Sequence, residues 1–144
     1  MADAAPPKRL VLDANILIRA VLGRRVRSII DTYREDVRFF TPIEAFDDAT
    51  TYLPPLFAKR GLDGRVALSV LDALRPIVQA VEEEAYLAFA VQAKARIRDL
   101  DDWPILALAL ALDAPVWTED QDFFGAGIAT WTTDHIEQFL RREP

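Results

Sequence analysis

Acidic residues stand out in this chain by where they fall rather than by how many there are. Asp13 follows the apolar run Leu10-Val11-Leu12, and Asp102 precedes the long apolar stretch from Ile105 to Leu112. Asp120 and Asp122 come just after Pro115-Val116-Trp117-Thr118, and Glu44, Asp47 and Asp48 come just after Val37 to Thr41. If these groups meet in space, their charges repel. Two unit charges about 4 Å apart cost ~1 kcal/mol in water and several times more near protein. Three or four carboxylates coexist only if some are protonated or a cation sits among them. With no cysteine and a single histidine, the hard oxygen donors select Mg²⁺ or Mn²⁺. Such ions orient and activate a water and stabilise charge developing on a phosphate, so the implied reaction is metal-assisted phosphodiester hydrolysis. Each aspartate taken alone has a plainer role as a helix cap; it is their recurrence at one kind of position that points to a site.

Elements that put the acids at one edge can be read from the hydrophobic pattern. Arg9 to Leu12 reads as a buried strand and Ile16 to Leu22 as a helix closed by Gly23. Val26, Ile29, Ile30 and Tyr33 recur at helical spacing. Val37 to Thr41 is a second strand. Pro42 suits the first turn of a helix running to Lys59, which Pro54-Pro55 should bend or break. Further helices are expected over Val66 to Leu74, Glu83 to Ile97 and Asp102 to Leu112, with strands at Ile77 to Val81, Pro115 to Thr118 and Ile128 to Trp131. Thr132 or Thr133 should cap a last helix reaching about Leu140. Strands alternating with helices imply a three-layer α/β/α fold around a parallel sheet of four to five strands. In that architecture ligands bind outside the carboxyl ends of the strands, where all the acids above would lie.

The totals narrow the function. At 144 residues the chain has the length of one domain, taken as 1–144 with residues 1–7 loose. Without cysteine there is no disulfide framework, thiolate zinc site or cysteine nucleophile. No apolar run reaches the roughly 18 residues that span a bilayer, and Lys8-Arg9 is followed by too few apolar residues for a signal peptide, so a cytoplasmic location is expected. A net charge of −6 argues against a simple nucleic-acid binding module. It weighs less against a nuclease, whose metal reverses the local field. Arg19, Arg24, Arg25 and Arg27 form one basic group and Lys94, Arg96 and Arg98 another; both suit phosphate binding or solvated helix faces. His135 reads as a surface or capping residue, and Trp103, Trp117 and Trp131 as core rather than base-stacking residues.

Four stretches resemble the PIN-domain ribonucleases, including the VapC-like toxins of type II toxin–antitoxin modules. They are Leu10-Val11-Leu12-Asp13-Ala14-Asn15, Phe39-Phe40-Thr41-Pro42 with the acid-bearing segment after it, Asp102-Trp103-Pro104-Ile105-Leu106-Ala107-Leu108-Ala109, and Trp117-Thr118-Glu119-Asp120-Gln121-Asp122-Phe123. Each motif alone is unspecific, but their order and spacing span nearly the whole chain. The resemblance implies a divalent-metal-dependent endoribonuclease in which Asp13, Asp102 and Asp120 bind the metal. Asp122 would support a second ion or a bound water. Asn15 and Thr118 would hold the aspartates by hydrogen bonds. The family's second acid, usually a Glu about six residues into its helix, falls on Asp48, with Glu44 one turn earlier as the alternative. Asp99 and Asp101 also neighbour Asp102, which has the better spacing to Ala107 and Ala109. An RNA substrate, a small antitoxin able to insert an arginine into the acidic pocket, and a homodimer are further expectations of the resemblance.

Three rival readings fit less well. A receiver-type signalling domain needs a late lysine, and none follows Lys94. An aspartate-nucleophile phosphatase needs Asp-x-Asp after the first strand, where Asn15 stands. A catalytically inactive PIN-like binding module would lack part of the acid set.

Overall fold

The computed structural model describes residues 6–141. Five parallel strands form the sheet: β1 (Lys8–Leu12), β2 (Val37–Pro42), β3 (Val78–Val81), β4 (Val116–Trp117) and β5 (Thr130–Trp131), in the order β3-β2-β1-β4-β5. Leu10, Val11 and Leu12 are fully buried, as expected of a central strand covered on both faces. The central place of β1 also differs from the 2-1-3-4-5 order of receiver-type folds. The chain builds outward from β1 to β2 and β3, then crosses back to add β4 and β5 on the other side. Between β1 and β4 the winding reverses, and it is at the carboxyl edge of such a reversal that sheets of this kind form their ligand crevice.

Helices α1 (Ala14–Leu22), α2 (Arg25–Tyr33), α3 (Ile43–Lys59), α4 (Gly64–Asp72), α5 (Ala90–Arg96), α6 (Trp103–Leu112) and α7 (Ile136–Leu140) complete the layers. α6 is apolar on most of its circumference and buries Ile105 through Ala109, which suits a helix packed deep in the fold. It ends at Asp113 in the left-handed conformation (φ 51°), one that aspartate tolerates better than most residues.

Several local expectations need correction. Pro42 is the last residue of β2 and the N-cap of α3, not a residue of the helix's first turn. Pro54 and Pro55 do not end α3, which runs unbroken to Lys59. The carbonyls that lose their donors are those of Thr50 and Thr51, one turn earlier. Thr51 is exposed and Thr50 lies beside it on the outer side of the helix, so water can reach that turn. The segment from Glu83 to Ile97 is not one helix. Two 3₁₀ turns, Glu83–Ala85 and Leu87–Phe89, precede α5. Tyr86 between them has φ −126° and is buried in the core, so the backbone yields to let the ring in. The helix expected from Asp102 starts one residue later, after a 3₁₀ turn over Leu100–Asp102. Neither threonine caps α7, whose N-cap is His135 with no side-chain capping bond. Of the tryptophans, Trp117 is fully buried, while Trp103 and Trp131 are half-buried. Residues 1–5 of the segment expected to be loose lie outside the described residues.

Candidate metal centre at the carboxyl edge

Asp13 sits where β1 ends and α1 begins, and it caps α1 while facing the crevice. Its Oδ1 accepts a 2.7 Å hydrogen bond from the Ala14 amide. Its Oδ2 accepts from Thr118 Oγ1 at 2.6 Å and from Asn15 Nδ2 at 3.0 Å. The side chain thus serves the helix and the crevice at once. Asp13 is only 5% exposed, and burial, the largest effect, raises its pKa. The charges of Asp120 and Asp48 add to the rise, while the bonds from Thr118 and Ala14 oppose it.

Backbone pairing brings the fourth strand's acids to the same place. The Asp13 amide donates to Trp117 O at 3.1 Å, which locks the end of β1 to β4. Thr118 Oγ1, besides donating to Asp13, accepts from the Asp120 amide at 2.9 Å, and Asp120 Oδ1 accepts from the Asp122 amide at 2.9 Å. Asn15 Oδ1 accepts from the Glu119 amide at 3.5 Å. Asn15 and Thr118 thus tie Asp13 to the loop that carries Asp120.

Asp102 differs from these in how little holds it. Its Oδ2 is buried and has no hydrogen-bond partner among the described residues, although buried carboxylate oxygens are normally satisfied. Its pKa is pushed up to about 7, first by burial, then by the charges of Asp13, Asp120 and Asp99, and last by a hydrogen bond that its protonated form makes with Asp120. One carboxylate oxygen each of Asp99, Asp102 and Asp122 lie within 4.8 Å of one another. Asp99 also caps its own turn, accepting from the Asp101 amide at 3.0 Å.

The acids of α3 approach from the other side. Asp48 is exposed; desolvation raises its pKa, as do the charges of Asp47, Glu44 and Asp101. Glu44 is engaged elsewhere, since its Oε2 accepts a 2.5 Å hydrogen bond from Tyr86 Oη. Burial, first, and that bond push the Tyr86 phenol far above its ordinary value. The Tyr86 ring packs at 5.8 Å from that of Trp103, so one buried tyrosine touches both α3 and the start of α6.

Three residues of this region carried little signal in the sequence. Asp99 lies three positions before Asp102, a spacing that one helical turn would have placed on a common face. Tyr86 offered only an aromatic residue just after a run of glutamates. Glu119 accepts from the Thr133 amide at 2.8 Å and from its hydroxyl, and Thr133 Oγ1 accepts from Trp117 Nε1 at 3.1 Å. Thr133 is thus committed to the β4 loop, which is why it caps no helix. His135 is exposed at the start of α7 and joins none of this.

Across residues 11–141 the sequence matches the PIN domain family. The chain belongs to the PIN-domain family. Solved structures with a similar fold include VapBC2 from Rickettsia felis bound to a DNA fragment from its promoter (TM-score 0.66, 13% identity, 86% of this chain and 98% of that one). FitAcB from Neisseria gonorrhoeae is also similar (TM-score 0.64, 21% identity, 88% and 99%), as is VapBC-1 from nontypeable Haemophilus influenzae (0.58, 18%, 88% and 98%). No curated protein sequence matches. Among the described residues, no helix of this PIN domain is long and apolar enough to cross a membrane.

Proposed function

We propose that this PIN-domain chain is a divalent-metal-dependent endoribonuclease and the toxin of a toxin–antitoxin pair. The observation that carries the catalytic reading is the buried, unpartnered Oδ2 of Asp102 among Asp13, Asp99, Asp120 and Asp122. A carboxylate oxygen withdrawn from water, with like charges around it and no donor, is stable only when protonated or when a cation completes it. The donor set is all oxygen, which suits Mg²⁺ or Mn²⁺. Asp13, Asp102 and Asp120 would hold the ion. Asp122 and Asp99 border them, and Asp48 flanks the crevice more freely than Glu44, whose carboxylate Tyr86 engages.

Bound there, the ion supplies charge neutralisation at the phosphate and a more acidic water. The protein's own contribution is orientation. Thr118 and Asn15 fix both the position and the rotamer of Asp13, and Thr118 also fixes the backbone that presents Asp120. A single domain over 1–144, a cytoplasmic location, a homodimer and an antitoxin partner accompany this proposal. The last rests on the VapBC and FitAcB structures that share the fold.

The test is cleavage of a mixed set of structured RNAs by purified protein with Mg²⁺ or Mn²⁺, with EDTA, and with Asp13→Asn. Cutting that needs metal and is lost in the variant is expected. No cutting in any condition, together with no Mn²⁺ binding by electron paramagnetic resonance, would leave a binding module instead. Co-purification and light scattering address the partners, and a lone stable monomer would count against both antitoxin and dimer.

A further inference from the structure

Thr41 is fully buried near the carboxyl end of β2, where valine would fill the same space without a hydroxyl to satisfy. What the hydroxyl does follows from the strand pairing. The amides of Val11 and Asp13 donate across to the carbonyls of Pro115 and Trp117, at 3.0 and 3.1 Å. The backbone groups of Val11 and Asp13 therefore face β4. Those of the alternate residues, Leu10 and Leu12, face β2. Val11 is in register with Phe40, so the amide next in step for the Leu12 carbonyl belongs to residue 42. Residue 42 is proline and has no N–H to give. Thr41 Oγ1 donates to Leu12 O instead, at 2.7 Å.

That bond lies one peptide away from the first acid of the candidate metal centre. The Leu12–Asp13 peptide is a rigid plane. Its C=O is held from β2 by Thr41, and its N–H from β4 by Trp117 O. Two bonds on opposite edges of one plane fix its tilt, and with it the Cα from which the Asp13 side chain departs. Thr118 and Asn15 act further out, on the carboxylate itself. They set how the side chain turns, while the peptide sets where it starts. A ligand set works only when its members are held to within about 0.5 Å.

We infer that Thr41 is a positioning residue for the metal centre: its hydroxyl stands in for the amide that Pro42 lacks, clamps the Leu12–Asp13 peptide, and so places the Asp13 carboxylate. This rests on the nuclease reading and adds a third residue to the two that already hold Asp13. The clamp reaches the acid through the backbone, which is why Thr41 touches no carboxylate itself.

The test is Mn²⁺ affinity by electron paramagnetic resonance, with thermal melting in EDTA alongside, for wild type, Thr41→Val, Thr41→Ser and Thr41→Val/Pro42→Ala. Thr41→Val keeps the volume and removes the donor, and it should weaken Mn²⁺ binding at least about tenfold. Thr41→Ser keeps the donor and should bind close to wild type. The double variant discriminates most sharply. Alanine accepts the backbone of Pro42, whose φ is −62°, and returns an amide in register with Leu12 O, so most of the lost affinity should come back. A lower melting temperature in Thr41→Val with unchanged Mn²⁺ affinity overturns the proposal and leaves Thr41 a residue of the fold alone. A double variant as weak as Thr41→Val overturns it too, because the hydroxyl would then serve something other than the Leu12 carbonyl. If Thr41→Val does not fold, the double variant decides: affinity near wild type supports the clamp, and a folded protein with a tenfold weaker site refutes it. Wild type and Thr41→Val that bind Mn²⁺ and cut RNA equally well spare the nuclease reading. Wild type that does neither removes that reading, and the role of Thr41 with it.

Discussion

Without metal, Asp102 should make the protein less stable as pH rises, and replacing it should relieve that loss. Its pKa in the fold is about 7 against an ordinary 3.8. Between those values the folded state holds a proton that the unfolded state has released. Stability therefore falls as pH climbs from about 4 to about 7 and is level above that. The full difference corresponds to about 4 kcal/mol at 1.36 kcal/mol per tenfold. Asp102 is only partly withdrawn from solvent, so water screens much of this, and ~1–2 kcal/mol is the reasonable magnitude. For a chain of this size that is roughly 3–8 °C in Tm. The assay is thermal melting in EDTA at pH 5.0 and 7.5, for wild type and Asp102→Asn. Wild type should melt higher at pH 5.0, and the variant should narrow the gap by several degrees. Some gap should persist, because Asp13 and Asp48 are raised as well. Wild type melting higher at pH 7.5, or an undiminished gap in Asp102→Asn, would refute the argument that this carboxylate is strained.

Three further outcomes follow from the same geometry. Mg²⁺ or Mn²⁺ at 100 times its Kd and pH 7.5 should stabilise wild type by about 2.7 kcal/mol, seen as a higher Tm, and should leave the Tm of Asp13→Asn unmoved; calorimetry checks both. Thr118→Val keeps the shape but removes the donor to Asp13 and the acceptor for the Asp120 amide. Urea unfolding should record a loss of about 1–3 kcal/mol, and Mn²⁺ titration a weaker site. Tyr86→Phe retains the buried ring and loses only the bond to Glu44, so it should cost about 0.5–1.5 kcal/mol, with the near-ultraviolet dichroism of Trp103 preserved.

What could be read from the sequence was what repeats at a fixed period or stands at an element's end. Leu10-Val11-Leu12 before Asp13 and Val116-Trp117 before Thr118 are buried strands whose carboxyl ends a parallel sheet must align. The gathering of acids at this edge therefore followed from the topology, whereas the three whose oxygens lie within 4.8 Å of one another are Asp99, Asp102 and Asp122, not the expected Asp13, Asp102 and Asp120. The chain from Glu83 to Ile97 did not yield to the same logic. Its composition favours a helix, but burying Tyr86 against Trp103 and Glu44 is a tertiary demand that local propensity does not carry. The share of Asp99 in the oxygen cluster and the commitment of Thr133 to Glu119 were hidden for the same reason, since both depend on how one loop lies against another. Pro54 and Pro55 misled in the opposite direction. Their local cost is real, but it falls on the outer side of a helix anchored by Ala49, Leu53 and Phe57.

The crossing of the chain from β3 back to β4 has a consequence in time. A ribosome releases Asp13 first and Thr118 only some hundred residues later, several seconds at typical elongation rates of about 5–20 residues per second. Through that interval β1 has an unpaired edge where β4 will lie, Asp13 lacks the hydroxyl that fixes it, and Asp120 does not yet exist. The edge is completed only when the two-residue β4 pairs with β1 and β5 then adds outside it. The acid site is thus incomplete, by the chain's own topology, for as long as the protein is being translated.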